Sequence, residues 1–313
     1  MNEELLGKGA IRHVESQSDY RYVGRASAPY DWTVPYDIES KVGPIYVENQ
    51  GTSYSCGGNI EYVTSAQKAL SSGKYVRQSR FYPYSQVYVA GGGSDGRALA
   101  AIAVGQGISS ETLCPSYNAD GTPLTEEQYE HPEKITPEAK ADASTSKTLY
   151  YATVPSNDID AIANAIASEG MVLIGVDGFN NGTWLSSDPL PPPSNAESAD
   201  IWSHWVAAGK VAIRNGKKCI GIINSWGEGV GESGWQWLSE DYVTGTNPNG
   251  MNVWVCWTLT PEKSAIVIPT VEQEVSKLPP SVQQEVQPVM QKSSSSIWDL
   301  AFLKSLLKFL GIN

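Results

Sequence analysis

The absences in this chain narrow its chemistry first. No basic run occurs in its 313 residues, and the formal net charge is −12. Such a chain gains nothing by releasing counterions from a phosphate backbone, so nucleic acid is not an expected partner. The first thirty residues hold no apolar run of signal-peptide length; standard secretion is not expected, and a cytoplasmic or an assembly- or membrane-associated location is. Cysteines number four, Cys56, Cys114, Cys219 and Cys256, with no CxxC pair and no His-Cys cluster. Four are too few for a disulfide scaffold and wrongly spaced for zinc, so neither metal nor cofactor is expected. One or two disulfides and free thiols both remain open. Phenylalanine is scarce, four against ten Trp and sixteen Tyr; rings with a polar handle suit groove walls as well as cores.

Composition divides what remains. Residues 1–30 are polar and read as an arm or a surface-wrapping segment, and 31–260 read as globular. Residues 261–296 form a Pro-, Gln- and Ser-rich linker, and 297–313 (IWDLAFLKSLLKFLGIN) an amphipathic helix with three charges. That segment is poor as a membrane span and suits a membrane surface or a groove in a protein assembly. Within the globular part, Ile60, Val63, Ala66 and Leu70 recur at helical spacing after Cys56. Further helices are expected at 96–105 and 157–168, and a strand at 171–176. The polar stretch 119–148 reads as a surface insertion, and Pro189–Pro193 as a loop. Two strand-like runs, 206–213 and 217–223, flank Asn215-Gly216, the strongest short hairpin signal.

Cys56 lies in NQGTSYSCGG (49–58), where a helix N-terminus would favour its thiolate. A nucleophile also needs a base, and the histidines are only three. His13 is in the polar arm and His131 in the charged stretch. His204, in IWSHWV, alone has an apolar setting where its pKa could be tuned. The hairpin brings His204 near Asn224, which could accept the imidazole N–H and fix its tautomer. Trp226 could cover that bond from water.

Asn49-Gln50-Gly51 with Ser55-Cys56, then Ser203-His204, then NSWGEGVGESG from Asn224 resemble the papain family of cysteine peptidases. The resemblance spans roughly 31–245. It implies an α+β, two-lobed fold for 31–260, a helical lobe carrying the cysteine and a β-rich lobe carrying histidine and asparagine. It implies peptide hydrolysis through a thioester acyl-enzyme. Cys56 would be the nucleophile, His204 the acid–base, Asn224 its orienter, and Gln50 with the Cys56 backbone N–H the oxyanion hole. An extended polypeptide would pair with Gly92 and Gly93 and run past Ser203, Trp205 and Trp226.

The departures are specific. Ser53 stands where the family usually has a cysteine, and Gly57-Gly58 where an aromatic usually follows the nucleophile. Trp205 stands where a small residue lines the main specificity pocket, so a shallow or blocked pocket preferring small side chains is expected. Only 55 residues precede Cys56, too few for the long inhibitory propeptide. The alternative is a catalytically weak or inactive module acting as a binding or structural component of an assembly.

Overall fold

The computed structural model describes residues 6–13, 19–24, 29–185 and 188–267. The expected helix at 297–313 and all of the linker beyond 267 lie outside the described residues.

The strands are β1 Arg21–Tyr22, β2 Tyr36–Asp37, β3 Tyr150–Val154, β4 Val172–Phe179, β5 Ile201–Arg214, β6 Lys217–Ile223, β7 Trp235–Ser239, β8 Thr246–Asn247, β9 Gly250–Met251, β10 Val253–Thr260 and β11 Ile266–Val267. The main sheet runs β11-β1-β3-β10-β4-β5-β6-β7, with β2 also on β5. The expected hairpin is β5–β6. Asn215 and Gly216 both take positive φ, 49° and 74°, as a tight turn matching the strand twist requires.

Both faces of the sheet are covered, and the side-chain period of two explains how. Trp205 and Ala207 of β5 join one core, while Val206 and Ala208 join the other. Leu173 of β4 lies in the first, and Val172, Ile174 and Val176 in the second. Helices Ile60–Ser72, Phe81–Val87 and Gly96–Gly105 build the first core, and Ile159–Glu169 packs on the opposite face. Asp158 caps that last helix by accepting the N–H groups of Asp160 and Ala161, a contribution of about 1 kcal/mol.

Helix Ile60–Ser72 buries Ile60, Val63 and Ala66 as the spacing predicts, but Ala69 rather than Leu70 completes the face, and Leu70 is exposed. Gly73 ends it in the left-handed conformation, its N–H returning to Ala69 O. The stretch 119–148 is more than a surface insertion. Its helices Glu126–Tyr129 and Pro137–Ser144 bury Tyr129, Ala139 and Ala143, and Ile135 joins them in the first core. Its apolar residues are few, but these four reach the core. No disulfide joins the four cysteines, all of which are buried.

Candidate active site

Cys56 is the second residue of a 3-10 turn, Ser55–Asn59, that leads into helix Ile60–Ser72. The two glycines after it answer to close packing. A Cβ on Gly57 would lie 2.0 Å from Ser94 Oγ, and one on Gly58 would lie 2.9 Å from Arg80 Cβ. The fully buried Arg80 clamps this turn, donating to Asn59 Oδ1 (2.5 Å) and to Ser55 O (2.6 Å). Asn59 in turn donates to Trp205 O at 2.7 Å, tying the cysteine turn to β5 beside His204.

His204 is fully buried, opposite Val176 on β4. Its Nε2 lies 2.9 Å from Asn224 Oδ1. Asn224 sits just past the end of β6 and donates to Gln236 Oε1 at 2.9 Å, which fixes the amide so that its oxygen meets the ring. Trp226 covers the imidazole, ring centroids 4.9 Å apart and tilted by 30°. His204 Nδ1 has no hydrogen-bond partner among the described residues.

Gln50 is fully buried and held on both ends. Its Nε2 donates to Ser53 O at 2.7 Å, and its Oε1 accepts from Ser225 Oγ. Its backbone N–H donates to Ser225 O, so the stretch after Asn224 also places Gln50.

The seam between these groups is filled by the chain's own arm. Gly7 N–H donates to Gly51 O, and Gly7 O accepts from Trp226 Nε1 at 3.0 Å. Gly9 O accepts from Ser94 N–H, Ile11 N–H donates to Ser94 O, and Ala10 N–H donates to Ser203 O. The arm thus runs parallel to the chain at Ser94. Both arm glycines are sterically required, since a Cβ would lie 1.8 Å from Ser53 O at Gly7 and 2.1 Å from Tyr54 O at Gly9. Lys8 reaches over the Trp202 ring, 5.0 Å from its centroid, and donates to Asn180 Oδ1. Arg12 pairs with the buried Asp177 at 2.7 Å and donates to Met251 O.

Of the residues expected to meet an extended chain, Ser203 contacts the arm through its backbone and Trp226 through its indole. Gly93 contributes by having no side chain, because a Cβ there would lie 2.4 Å from Gly9 O. Gly92 packs against the Tyr54 ring in the same way. The backbone pairing itself falls on Ser94. Trp205 is fully buried, its indole N–H donating to Ser94 O at 2.9 Å.

The electrostatics follow from this covering. Burial pushes the Cys56 thiol up to about 12, against the backbone N–H groups of Trp205 and Gly9 and the Arg80 cation, which favour the thiolate. Burial pulls His204 down to about 3, against the Asn224 hydrogen bond; Lys8 and Arg80 add to the lowering. Both groups are therefore neutral near pH 7 with the arm in place. The sequence places Cys56 where a helix N-terminus favours the thiolate; it lies in the 3-10 turn that opens helix Ile60–Ser72, and with the arm in place desolvation outweighs what favours the charged form.

A cysteine turn on a helical lobe, set against a histidine–asparagine pair on the hairpin of a sheet lobe, defines a class of two-lobed α+β proteins. A sequence profile described as "Papain family cysteine protease" matches residues 49–252, well over half the chain. The chain belongs to the papain family of cysteine proteases. Among solved structures, it is similar to xylellain, a cysteine protease from Xylella fastidiosa, with a TM-score of 0.63 and 20% identity over 83% of this chain and 97% of that one. It also resembles digestive procathepsin L 3 of Tenebrio molitor larval midgut, with a TM-score of 0.60 and 20% identity over 82% and 76%. Bromelain from Ananas comosus, solved with the E64 inhibitor, gives a TM-score of 0.54 and 18% identity over 73% and 99%. At these identities the likeness is one of fold.

Sequence reasoning missed Arg80, Asn59 and the path of the arm through the seam. Arg80 had no visible signal, because its partners are a backbone carbonyl and an asparagine far along the chain. The arm did have one: Gly7 and Gly9 alternate with other residues in GKGAIR, as a segment threaded between two close backbones requires.

Proposed function

We propose that this chain hydrolyses peptide bonds through Cys56, His204 and Asn224. The observation that carries the reading is the His204–Asn224 contact at 2.9 Å beneath Trp226, on the strand that Asn59 ties to the Cys56 turn. In the reaction, the Cys56 thiolate attacks the carbonyl carbon of an extended polypeptide. The oxyanion is met by the Gln50 amide and the Cys56 backbone N–H. The C–N bond breaks as the His204 imidazolium gives its proton to the leaving amine. Water, losing a proton to His204, then opens the thioester, releasing a carboxylic acid and restoring the Cys56 thiolate and the His204 imidazolium. Asn224 keeps the His204 Nε2–H fixed, so that Nδ1 is the atom that exchanges the proton.

A substrate enters only when residues 7–12 leave the seam. Their departure readmits water and takes Lys8 away from His204, so the thiol falls, the imidazole rises, and the ion pair becomes accessible. The second reading, a binding or structural module without turnover, rests on the neutral state of both groups. It prevails if that state persists after the arm has left.

The test is covalent trapping. A dipeptidyl vinyl sulfone is incubated with the full chain carrying Gly9→Val, and the adduct is mapped by mass spectrometry. The expected result is an adduct on Cys56 alone, formed at least about a hundredfold more slowly in the His204→Gln derivative. Equal labelling of all four cysteines, or no effect of His204→Gln, would overturn the reading.

A further inference from the structure

His13, in the arm stretch 6–13, occupies a pocket whose chemistry differs from the one expected at Trp205. The His13 ring sits among three indoles, its centroid 6.1 Å from Trp205, 5.8 Å from Trp254 and 5.8 Å from Trp257. The Trp257 ring is stacked on it and that of Trp254 meets it edge-on. His13 Nδ1 lies 2.8 Å from Asp95 Oδ2. Only 12% of the His13 side chain is exposed.

The walls of this pocket are held by residues outside the arm. Trp205 and Trp257 are fully buried, and Trp205 is pinned by its bond to Ser94 O. Gly96 leaves room for their rings, since a Cβ there would lie 2.4 Å from Trp205 and 2.9 Å from Trp257. Asp95 caps helix Gly96–Gly105 with one carboxylate oxygen, accepting Ala98 N–H at 3.0 Å, and turns the other toward His13. Burial would raise the Asp95 carboxyl, but His13, the Ala98 N–H and the Arg97 cation outweigh it and hold the group below its ordinary value. A fixed carboxylate at the end of an indole-walled slot favours a cation over a small neutral side chain.

The pocket also has the right address. Asp95 follows Ser94, the residue whose backbone brackets Ala10, and Trp205 follows His204. A polypeptide that replaces the arm on Ser94 would bring a side chain to this slot. We infer that the pocket of Trp205, Trp254, Trp257 and Asp95 selects polypeptides presenting a cationic, preferably planar, side chain such as that of arginine, with Asp95 as the selecting residue. The inference rests on the peptide-hydrolysing reading for its place in catalysis, but the binding preference is separable from turnover. It replaces the expectation of a blocked pocket: Trp205 forms a wall of the slot, and the slot admits an imidazole.

The experiment uses the full chain carrying Gly9→Val to expel the arm and Cys56→Ala to prevent turnover. Acetylated, amidated Ala/Gly hexapeptides with one arginine at each position in turn are titrated by calorimetry, beside the same set with neutral citrulline. The expected result is at least one arginine peptide binding about tenfold tighter than its citrulline twin. Asp95→Asn, which keeps the helix cap, should reduce that ratio below about twofold and leave citrulline binding unchanged. Equal binding of the twins, a ratio that survives Asp95→Asn, or no binding by either set would overturn the inference. A second measurement needs no peptide. In the chain with its arm in place, His13→Arg should raise the melting temperature relative to His13→Gln, and Asp95→Asn should abolish that gain; a gain independent of Asp95 would contradict the inference. Because neither measurement needs hydrolysis, failure of the peptidase reading would show separately, as absent trapping at Cys56.

Discussion

The Trp226 indole N–H donates to Gly7 O at 3.0 Å, while the same ring lies 4.9 Å from the His204 imidazole. One residue thus shields the His204–Asn224 bond and holds the arm that closes the seam. Covering the site and protecting its histidine are coupled, and much of the behaviour expected of this protein follows.

Expelling the arm should expose Cys56. Neither Gly7 nor Gly9 can carry a side chain without meeting backbone carbonyls. In Gly7→Val and Gly9→Val, alkylation of Cys56 by iodoacetamide at pH 7 should accelerate at least about tenfold, because the thiol no longer titrates in a desolvated site. Rates equal to those of the parent chain would show that the arm does not control the thiol.

The clamp on the cysteine turn should be costly to remove. Arg80→Leu leaves Ser55 O and Asn59 Oδ1 without their buried donor. A loss of about 3 kcal/mol in urea unfolding is expected. Under conditions where the variant stays folded, Cys56 trapping by the vinyl sulfone should slow as well, since Asn59 no longer fixes the turn against β5.

His204 and Cys56 should each make stability depend on pH, one on the acid side and one on the alkaline side. His204 titrates near 3 in the folded chain against an ordinary 6.5. Between these values the unfolded chain holds a proton that the folded chain lacks, so stability drops as pH falls from 6.5 toward 3. Cys56 titrates near 12 against an ordinary 9.0, so the unfolded chain loses a proton that the folded chain keeps, and stability drops as pH climbs from 9 toward 12. Urea midpoints measured across pH should show the acid limb flattened by His204→Gln and the alkaline limb by Cys56→Ser.

Glu61 is a buried acid with a cost. Its Oε1 has no partner among the described residues, and its Oε2 lies a long 3.4 Å from Ser65 Oγ. Burial and the nearby Glu48 push its carboxyl well above the usual range. As pH rises past 4.5, the unfolded chain releases a proton that the folded chain retains, so this group lowers stability progressively. Glu61→Gln mimics the neutral acid and should raise the melting temperature at pH 8 by about 2–4 °C. The gain should shrink at pH 5.

The parts that were legible in the sequence have local signals. Asn215-Gly216 marks a turn because both residues tolerate positive φ, and the apolar series from Ile60 marks a helix face. The candidate residues Cys56, His204 and Asn224 stand out through the residues immediately around them. What was not legible depends on contacts across the chain. Arg80 reaches Asn59 and Ser55, Gly93 makes room for Gly9, and His13 reaches Trp254 and Trp257. The neutral state of Cys56 and His204 was likewise hidden, because desolvation depends on what covers a group and the arm looked only polar.

The most direct measurement is hydrolysis of a mixed peptide library, analysed by mass spectrometry, by the full chain carrying Gly9→Val, with and without Cys56→Ala. New peptide termini are expected in the presence of reductant with Cys56 intact, and none once Cys56→Ala is introduced. A library left uncut by the arm-expelled chain with Cys56 intact, or cut equally well after Cys56→Ala, would contradict the peptidase reading.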